Sequence, residues 1–370
     1  AAADYYQRHH RQFAECDLAQ LEESDGRSGW HTTRVRGEGS SDIVHNGTLL
    51  RNHTVVPPRS PCLHDRCASV APSVSVFVVL DASARTVLAN QKCEGFVKNL
   101  VRSACSQWDR PSPLLRPLML DIGANSGYYS FVGAALGCRV VAFEPQRGCH
   151  QRIAAAAQLN ADLASDVHFL QAAVVPRSGP RVVRVLKEWS SGRREWREGC
   201  SVTSSSHRLA APLDQRLPQR HHSQQKEERV QTASVREALV ARGMHGPGDA
   251  IALAKVDAEG GELGVLRSMI EDGSLRAIQN LVIETSPLWW PARQNQSKEE
   301  GARLFATLLT QHGFVLAVTP ARVYISNGNE LADYILRMQG EHQEDLWFAR
   351  DATFARLHPT GVSNRRGCKS

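Results

Sequence analysis

The stretch Leu118–Gln146, LMLDIGANSGYYSFVGAALGCRVVAFEPQ, constrains the fold more than any other part of the chain. One apolar run ends in Asp121, a glycine turn follows, and a helix of small residues comes next. A second apolar run then ends in Glu144. Short apolar runs separated by helical segments cannot bury their faces alone. They predict parallel strands covered on both faces, an α/β architecture.

The alternation continues. The run VHFLQAAVV predicts a further strand, SVREALVARG a helix, and IALAKVD a strand. GELGVLRSMIEDG predicts a helix, LVIET a strand and KEEGARLFATLLTQHG a helix, before the closing pair FVLAVT and RVYIS. Residues 187–229 are polar and aperiodic and read as an insertion or long loop. Residues 1–72 mix His, Arg, Ser, Gly and Pro without a clear period and read as a poorly ordered arm. Residues 73–116 form a strand and helix extension, with two short strands in VSVFVVLDASARTV and a helix in EGFVKNLVRSACSQW. The main domain spans 117–350, and 351–370 are a tail.

In an open α/β sheet, ligands bind beyond the carboxyl ends of the strands. Asp121 and Glu144 both stand at such ends. Gly123 and Gly127 permit positive φ and close backbone approach, and the helix that opens near Gly127 aims its amides outward. The pattern is D-x-G-x-x-x-G rather than the dinucleotide fingerprint G-x-G-x-x-G. A leading carboxylate disfavours a pyrophosphate and suits a ligand with a positive centre. S-adenosylmethionine (SAM) carries a sulfonium, an ammonium and a ribose diol. Glu144, 23 residues after Asp121, is placed to accept the ribose hydroxyls. A capped strand end or a plain tight turn is the structural alternative for these residues.

A second cluster lies in LAKVDAEGGELGVLRSM, where Lys255, Asp257 and Glu259 end a strand and Gly260 and Gly261 open a helix. Glu284 ends the next strand and faces the same crevice. Asp257, Glu259 and Glu284 are the candidate general bases, and His168 and His207 are weaker alternatives. Asp257 could instead N-cap the helix that follows, and Glu284 could cap a helix or form a salt bridge. Trp189, Trp196, Trp289 and Trp290 are candidates for stacking on a sugar acceptor, with core packing as the alternative.

The ordered blocks DIGANSGYYSFVGA, VVAFEPQ, LQAAVV, AKVDAEGGELGVLRSM and LVIET resemble the FkbM-type family of SAM-dependent methyltransferases. The resemblance spans roughly Leu118 to Phe348. It implies a Rossmann-like class I methyltransferase fold: a mostly parallel sheet of about seven strands with helices on both faces. It also implies methylation of hydroxyl groups on sugars, polyketides and related natural products. By position, Asp121, Gly123, Ala124, Asn125 and Gly127 would form the cofactor loop. Glu144 would hold the ribose, and Gln171 would join the cofactor set. Asp257, Glu259 and Glu262 match the family's D-x-E-G-x-E block. The long polar segment between Val175 and Val230 departs from the family pattern and leaves the acceptor-site lid undefined. Nothing in the first 115 residues matches.

Composition narrows the remaining classes. The 44 basic and 38 acidic residues are interspersed, so the net charge of +6 forms no dense basic block and no nucleic-acid partner is expected. No apolar run reaches the roughly 20 residues needed to cross a bilayer. The sequence opens AAADYYQ without Met, so a signal peptide or anchor could have preceded it. Cys/His zinc spacing is absent and no metal is assigned, although a carboxylate cluster would also suit Mg²⁺. A nicotinamide oxidoreductase would want the missing G-x-G-x-x-G and a Y-x-x-x-K pair, which also does not occur. A SAM-binding or partner-binding scaffold without turnover is the other rival.

Nine cysteines are scattered along the chain. Cys62 and Cys67 suit a small disulfide loop, and Cys138, ahead of an apolar strand, reads as a buried thiol. N-x-S/T sequons occur at Asn46, Asn52 and Asn295. With the sequons, PCLHDRC points toward a secretory lumen. Chance sequons in a cytoplasmic or organellar protein are the alternative, and the balance lies narrowly there.

Overall fold

The computed structural model describes residues 32–37, 40–45, 48–55, 74–80, 95–106, 116–186, 189–190, 195–196, 227–244, 250–291, 295–338 and 343–357. Its centre is an eight-stranded sheet. Strands β5 (Leu118–Ile122), β6 (Arg139–Phe143) and β7 (Val167–Leu170) run parallel with β13 (Ile251–Val256) and β14 (Asn280–Thr285). Beyond β14 lie β17 (Glu344–Ala349), β15 (Leu316–Val318) and β16 (Tyr324–Ile325), each antiparallel to its neighbour. The order is β16-β15-β17-β14-β13-β5-β6-β7. The α/β class and the mostly parallel sheet are as the alternation predicts. The eighth strand is β17, which slips between β14 and β15.

The central strands are buried on both faces because they carry apolar residues at successive positions: LMLDI in β5 and IALAKV in β13 are buried throughout. One face packs on α1 (Gly95–Ser106) and α2 (Tyr128–Ala135), with Met119, Leu253, Val282 and Trp347 in its core. The other packs on α6 (Glu262–Glu271) and α7 (Lys298–Thr310), with Leu120, Ala254, Ile283 and Phe348. The expected helices at 94–108, 234–243 and 298–313 correspond to α1, α5 (Val235–Val240) and α7. Ser234 and Ser297 N-cap α5 and α7 in capping boxes with Glu237 and Glu300.

Several expectations change. The run VHFLQAAVV is not one strand. It breaks at Gln171, and β8 (Ala173–Val174) leaves the main sheet to pair with β12 (Glu227–Ala233). Strand β12 also pairs antiparallel with β9 (Val182–Leu186), so the polar 187–229 segment is flanked by a small sheet. Within it, β10 (Trp189–Ser190) pairs with β11 (Glu195–Trp196). The first 72 residues contain β1 (Thr32–Gly37), β2 (Ser40–His45) and β3 (Thr48–Val55), an antiparallel meander completed by β4 (Val74–Leu80). Their period-two pattern is short and mixed with polar residues, so composition hides it. The second strand expected after β4 lies outside the described residues. The 351–370 tail begins as helix α9 (Ala352–Leu357).

Cys138 is not a thiol. It forms a disulfide with Cys105 across a Cα–Cα distance of 5.1 Å, joining α1 to the start of β6. Both residues are fully buried, so the apolar context that suggested a free thiol is real. The partner stands 33 residues away and meets Cys138 only once α1 packs on the sheet. Cys149, on α3 (Arg147–Leu159), is also disulfide-bonded. Cys62 and Cys67 lie outside the described residues. No helix among the described residues is long and apolar enough to cross a membrane.

Candidate functional site

The loop after β5 has left-handed backbone at three of five positions: Gly123 at φ 86°, Asn125 at 53° and Gly127 at 81°. Glycine tolerates this freely, and Asn better than most residues. The loop is held by the next strand, where the Phe143 carbonyl accepts from Gly123 N at 2.9 Å and Ala124 N at 3.0 Å. A Cβ on Gly123 would also run into the Asp257 backbone, so only glycine fits. The turn ends at Gly127, the N-cap of α2.

Glu144 is 3 % exposed and ties the two halves of this unit together. Its Oε2 accepts from Asn125 N at 2.9 Å and its Oε1 from Gln146 N at 2.8 Å. A carboxylate has about four lone-pair sites, so capacity remains for two further donors. Burial pushes its pKa up to about 7, against the opposing pull of these two amides.

The loop after β13 mirrors the first. Asp257 N donates to the Ile122 carbonyl at 2.9 Å, and Glu259 and Gly260 adopt φ values of 50° and 92°. A non-glycine residue in this region is sparsely populated and is found where surroundings hold it. Glu262 does not face the crevice. It is fully buried, its Oε1 accepts from Gly260 N at 2.7 Å, and its Oε2 accepts from Trp290 Nε1 at 3.4 Å. Burial raises its pKa to about 7. Glu262 therefore braces the loop.

Between the loops lies a crevice open to solvent. Ile122, Phe143, Val174 and Val265 form apolar walls, and Glu144, Asp257 and Glu259 supply the charges. Ala172 and Ala173 line it, whereas the neighbouring Gln171 is exposed. Of the expected cofactor loop, Gly123 lines the crevice directly, and Asn125 acts on it through Glu144.

Strand register brings further charges into one row. Asp121 pairs with Lys255, Lys255 with Val282, and Glu284 with Asp345. Side chains alternate along each strand, so Asp121, Lys255, Asp257, Glu284 and Asp345 share one face at the carboxyl edge. Lys255 donates to Asp257 Oδ2 at 2.9 Å and its ammonium lies 5.1 Å from the Tyr129 ring centre. Ser130 Oγ donates to Asp121 Oδ2 at 2.6 Å, and Asp121 Oδ1, buried, has no hydrogen-bond partner. Burial raises the pKa of Asp121, and Lys255 partly offsets it. Glu284 lies well above the ordinary carboxylate range, first through burial and then through Asp257, Glu259, Glu262 and Asp345. Gln343 Nε2 donates to Glu284 Oε2 at 3.2 Å. Asp257 belongs both to the row and to the crevice lining.

The structure thus brings Asp121, Gly123, Glu144, Asp257, Glu259 and Glu284 to one end of the sheet. His168 is held in β7 beside Val141, short of the carboxyl end, and His207 lies outside the described residues. Trp290 is fully buried under Gly301, where an added Cβ would touch its ring at 2.1 Å. It packs the core and cannot stack on a sugar, while Trp289 stays half-buried after β14. Sequence reading missed Ser130 and Asp345. Ser130, in the first turn of α2 behind the Gly127 cap, could have been found from that cap; Asp345 carried no local signal. Among the described residues, no group of three or more His, Cys, Asp or Glu is arranged to hold a metal ion.

Among solved structures, the chain is similar to WbdD, determined with the kinase inhibitor LY294002, at 12 % identity and TM-score 0.35. That match covers 71 % of this chain and 41 % of WbdD, so the chain spans well under half of WbdD. It is similar to the precorrin-6y C5,15-methyltransferase from Geobacter metallireducens GS-15 at 12 % identity and TM-score 0.29, covering 69 % of this chain and 88 % of that one. It is also similar to the plantazolicin methyltransferase BpumL in complex with SAH, at 11 % identity and TM-score 0.32, covering 73 % and 91 %. No curated protein matches. The methyltransferase FkbM domain model matches residues 121–324, more than half the chain and the whole span from Asp121 through Glu284. The chain belongs to the FkbM methyltransferase family.

Proposed function

We propose that this protein transfers a methyl group from SAM to a hydroxyl of a sugar, glycan or natural-product-like acceptor. The observation that carries the reading is the crevice between the two left-handed loops. It has apolar walls, a buried Glu144 with spare acceptor capacity, and Asp257 shared with the charged row. The orphaned Asp121 Oδ1 is a second point of fit, because a buried carboxylate oxygen without a partner suits a cationic ligand.

SAM supplies an activated methyl group on a sulfonium. The chain's own residues do the rest. Ile122, Phe143 and Val174 give an apolar slot for a flat base, and Glu144 accepts from a vicinal diol. The Asp257 and Glu259 carboxyl groups that line the crevice face the ligand's positive centre, with Lys255 held on Asp257. Asp257 or Glu259, both half-open in the crevice, takes the acceptor proton, and Glu284 stands beside them as a third carboxyl. Alignment and exclusion of water provide most of the rate gain for a displacement of this kind.

Isothermal titration of the full chain with SAM, on wild type and Glu144→Ala, tests the reading. Micromolar binding that disappears in the variant is expected, followed by radiolabelled-methyl transfer screens that begin with glycans. A folded wild type that binds no SAM sinks it; SAM binding without transfer to any acceptor class would instead favour a scaffold.

A further inference from the structure

We infer that Asn295 is an N-glycosylation site and that the folded enzyme belongs to an oxidising secretory lumen. The inference is independent of methyl transfer and joins two observations from different parts of the molecule.

The first is the display of Asn295. It heads the sequon Asn295-Gln296-Ser297, is exposed, and lies in the connection that leaves the carboxyl end of β14. Its φ of 52° places it in left-handed backbone, a conformation that Asn adopts more readily than most residues. The connection is anchored on both sides of the sequon. Gln296 N donates to the Trp290 carbonyl at 3.4 Å, and Ser297 Oγ accepts from Glu300 N at 3.1 Å as the N-cap of α7. A glycan on Asn295 would enter solvent without displacing any of these contacts.

Ser297 has a second duty that orders events. The sequon hydroxyl must be free for recognition, yet in the folded protein it caps α7. Modification therefore precedes closure of that cap and occurs on the chain as it enters the lumen. Chemically, the Asn295 amide nitrogen forms a bond to the anomeric carbon of a lipid-pyrophosphate-linked oligosaccharide. The bond from that carbon to the pyrophosphate oxygen breaks, and the lipid pyrophosphate leaves with the electron pair. The amide proton passes to a base of the oligosaccharide transferase.

The second observation is the state of the cysteines. Cys105, Cys138 and Cys149, every cysteine among the described residues, are disulfide-bonded. Reducing compartments keep structural disulfides of this kind open, and oxidising ones form them. Cys105 and Cys138 are sealed in the core between α1 and β6, so the bond must form before or during packing. A chain that folds around a disulfide folds where disulfides form, and there an exposed sequon meets the transferase.

The test uses full-length protein isolated from its own cells, digested without reduction and mapped by mass with and without a peptide-N-glycosidase. The expected result is a glycosylated Asn295 peptide that reads as aspartate after release, together with a linked Cys105–Cys138 peptide pair. In secreted recombinant protein, Asn295→Gln and Ser297→Ala should each lose one glycan, and Ser297→Thr should keep it with the α7 cap intact. An unmodified Asn295 overturns the site, even with glycans at Asn46 or Asn52. Free thiols at Cys105 and Cys138 overturn the compartment.

Discussion

A Cβ placed on Gly123 would stand 1.7 Å from the carbonyl oxygen of Asp257. The loops after β5 and β13 are therefore interlocked through backbone, with no room for a side chain between them. Asp257 N closes the contact by donating to the Ile122 carbonyl. Position 123 also has φ 86°, so a substitution meets a steric wall and a disfavoured dihedral at once.

Gly123→Ala should separate the loops. The left-handed conformation alone costs about 1–2 kcal/mol for a residue with a Cβ, and the clash adds about 1–3 kcal/mol. Urea denaturation should show a loss of at least about 2 kcal/mol, and SAM affinity should fall more than about tenfold under conditions where the variant is folded. Wild-type stability and affinity in this variant would mean that the loops do not meet as described.

The Glu144 carboxyl gives opposite pH slopes for stability and for binding. Its folded pKa is about 7, above the ordinary 4.5. The folded state therefore holds its proton more tightly than the unfolded state. The stability it contributes is complete below the unfolded value and is lost as pH rises through about 7. Glu262, also raised to about 7, acts in the same direction. Binding of a ribose diol needs the ionised acceptor, so SAM affinity should weaken below pH 7 by up to about tenfold per unit. Titrations between pH 6 and pH 8, run beside denaturation curves, should show stability falling while affinity rises. Glu144→Gln should flatten the affinity profile and make the stability slope shallower, leaving the part that Glu262 contributes. Parallel slopes would contradict the assignment.

Glu262 and Asp257 stand five residues apart in one motif, yet Glu262 is buried against Gly260 and Trp290 while Asp257 lines the crevice. Glu262→Gln should be well tolerated by the fold because an amide oxygen can still accept from Gly260 N or Trp290 Nε1. Glu262→Ala strands both donors in a fully buried place and should cost about 2–5 kcal/mol. Asp257→Asn should leave stability within about 1 kcal/mol and lower methyl transfer about 10²-fold or more. Denaturation and turnover measured on the three variants separate brace from chemistry. Equal loss of stability in all of them would refute the division.

Much of this was legible in the sequence because the carrying signals are local. The Asp121-to-Glu144 unit shows strand, turn, helix and strand in order, and the structure places both acids at strand ends. The role of Glu262 was not legible, because its partner Trp290 lies 28 residues further on and meets it only across the core. The same holds for Cys138, whose apolar neighbours looked like thiol packing until α1 brought Cys105 to it. Strand β17 escaped because an antiparallel strand inserted between β14 and β15 breaks the chain-order rule that predicted the others. Asp345, carried by that strand, escaped with it.

Asp345 is where that omission bears on chemistry. It sits directly opposite Glu284 across the antiparallel ladder, and facing like charges disfavour ionisation. Burial already holds the Glu284 proton well above the ordinary range, and Asp257, Glu259, Glu262 and Asp345 all push in the same direction. Glu284 therefore contributes stability that is present at low pH and is lost as pH rises through its folded value. Asp345→Asn removes one facing charge, so Glu284 should ionise at lower pH and the alkaline loss of stability should become shallower. Infrared difference spectra should show the protonated carboxyl band of Glu284, identified by its absence in Glu284→Gln, disappearing at lower pH in Asp345→Asn than in wild type. Asp345→Glu should retain the wild-type behaviour. If Glu284 titrates identically in wild type and Asp345→Asn, the cross-strand pair has no electrostatic coupling, and burial with Asp257, Glu259 and Glu262 would have to account for the raised Glu284.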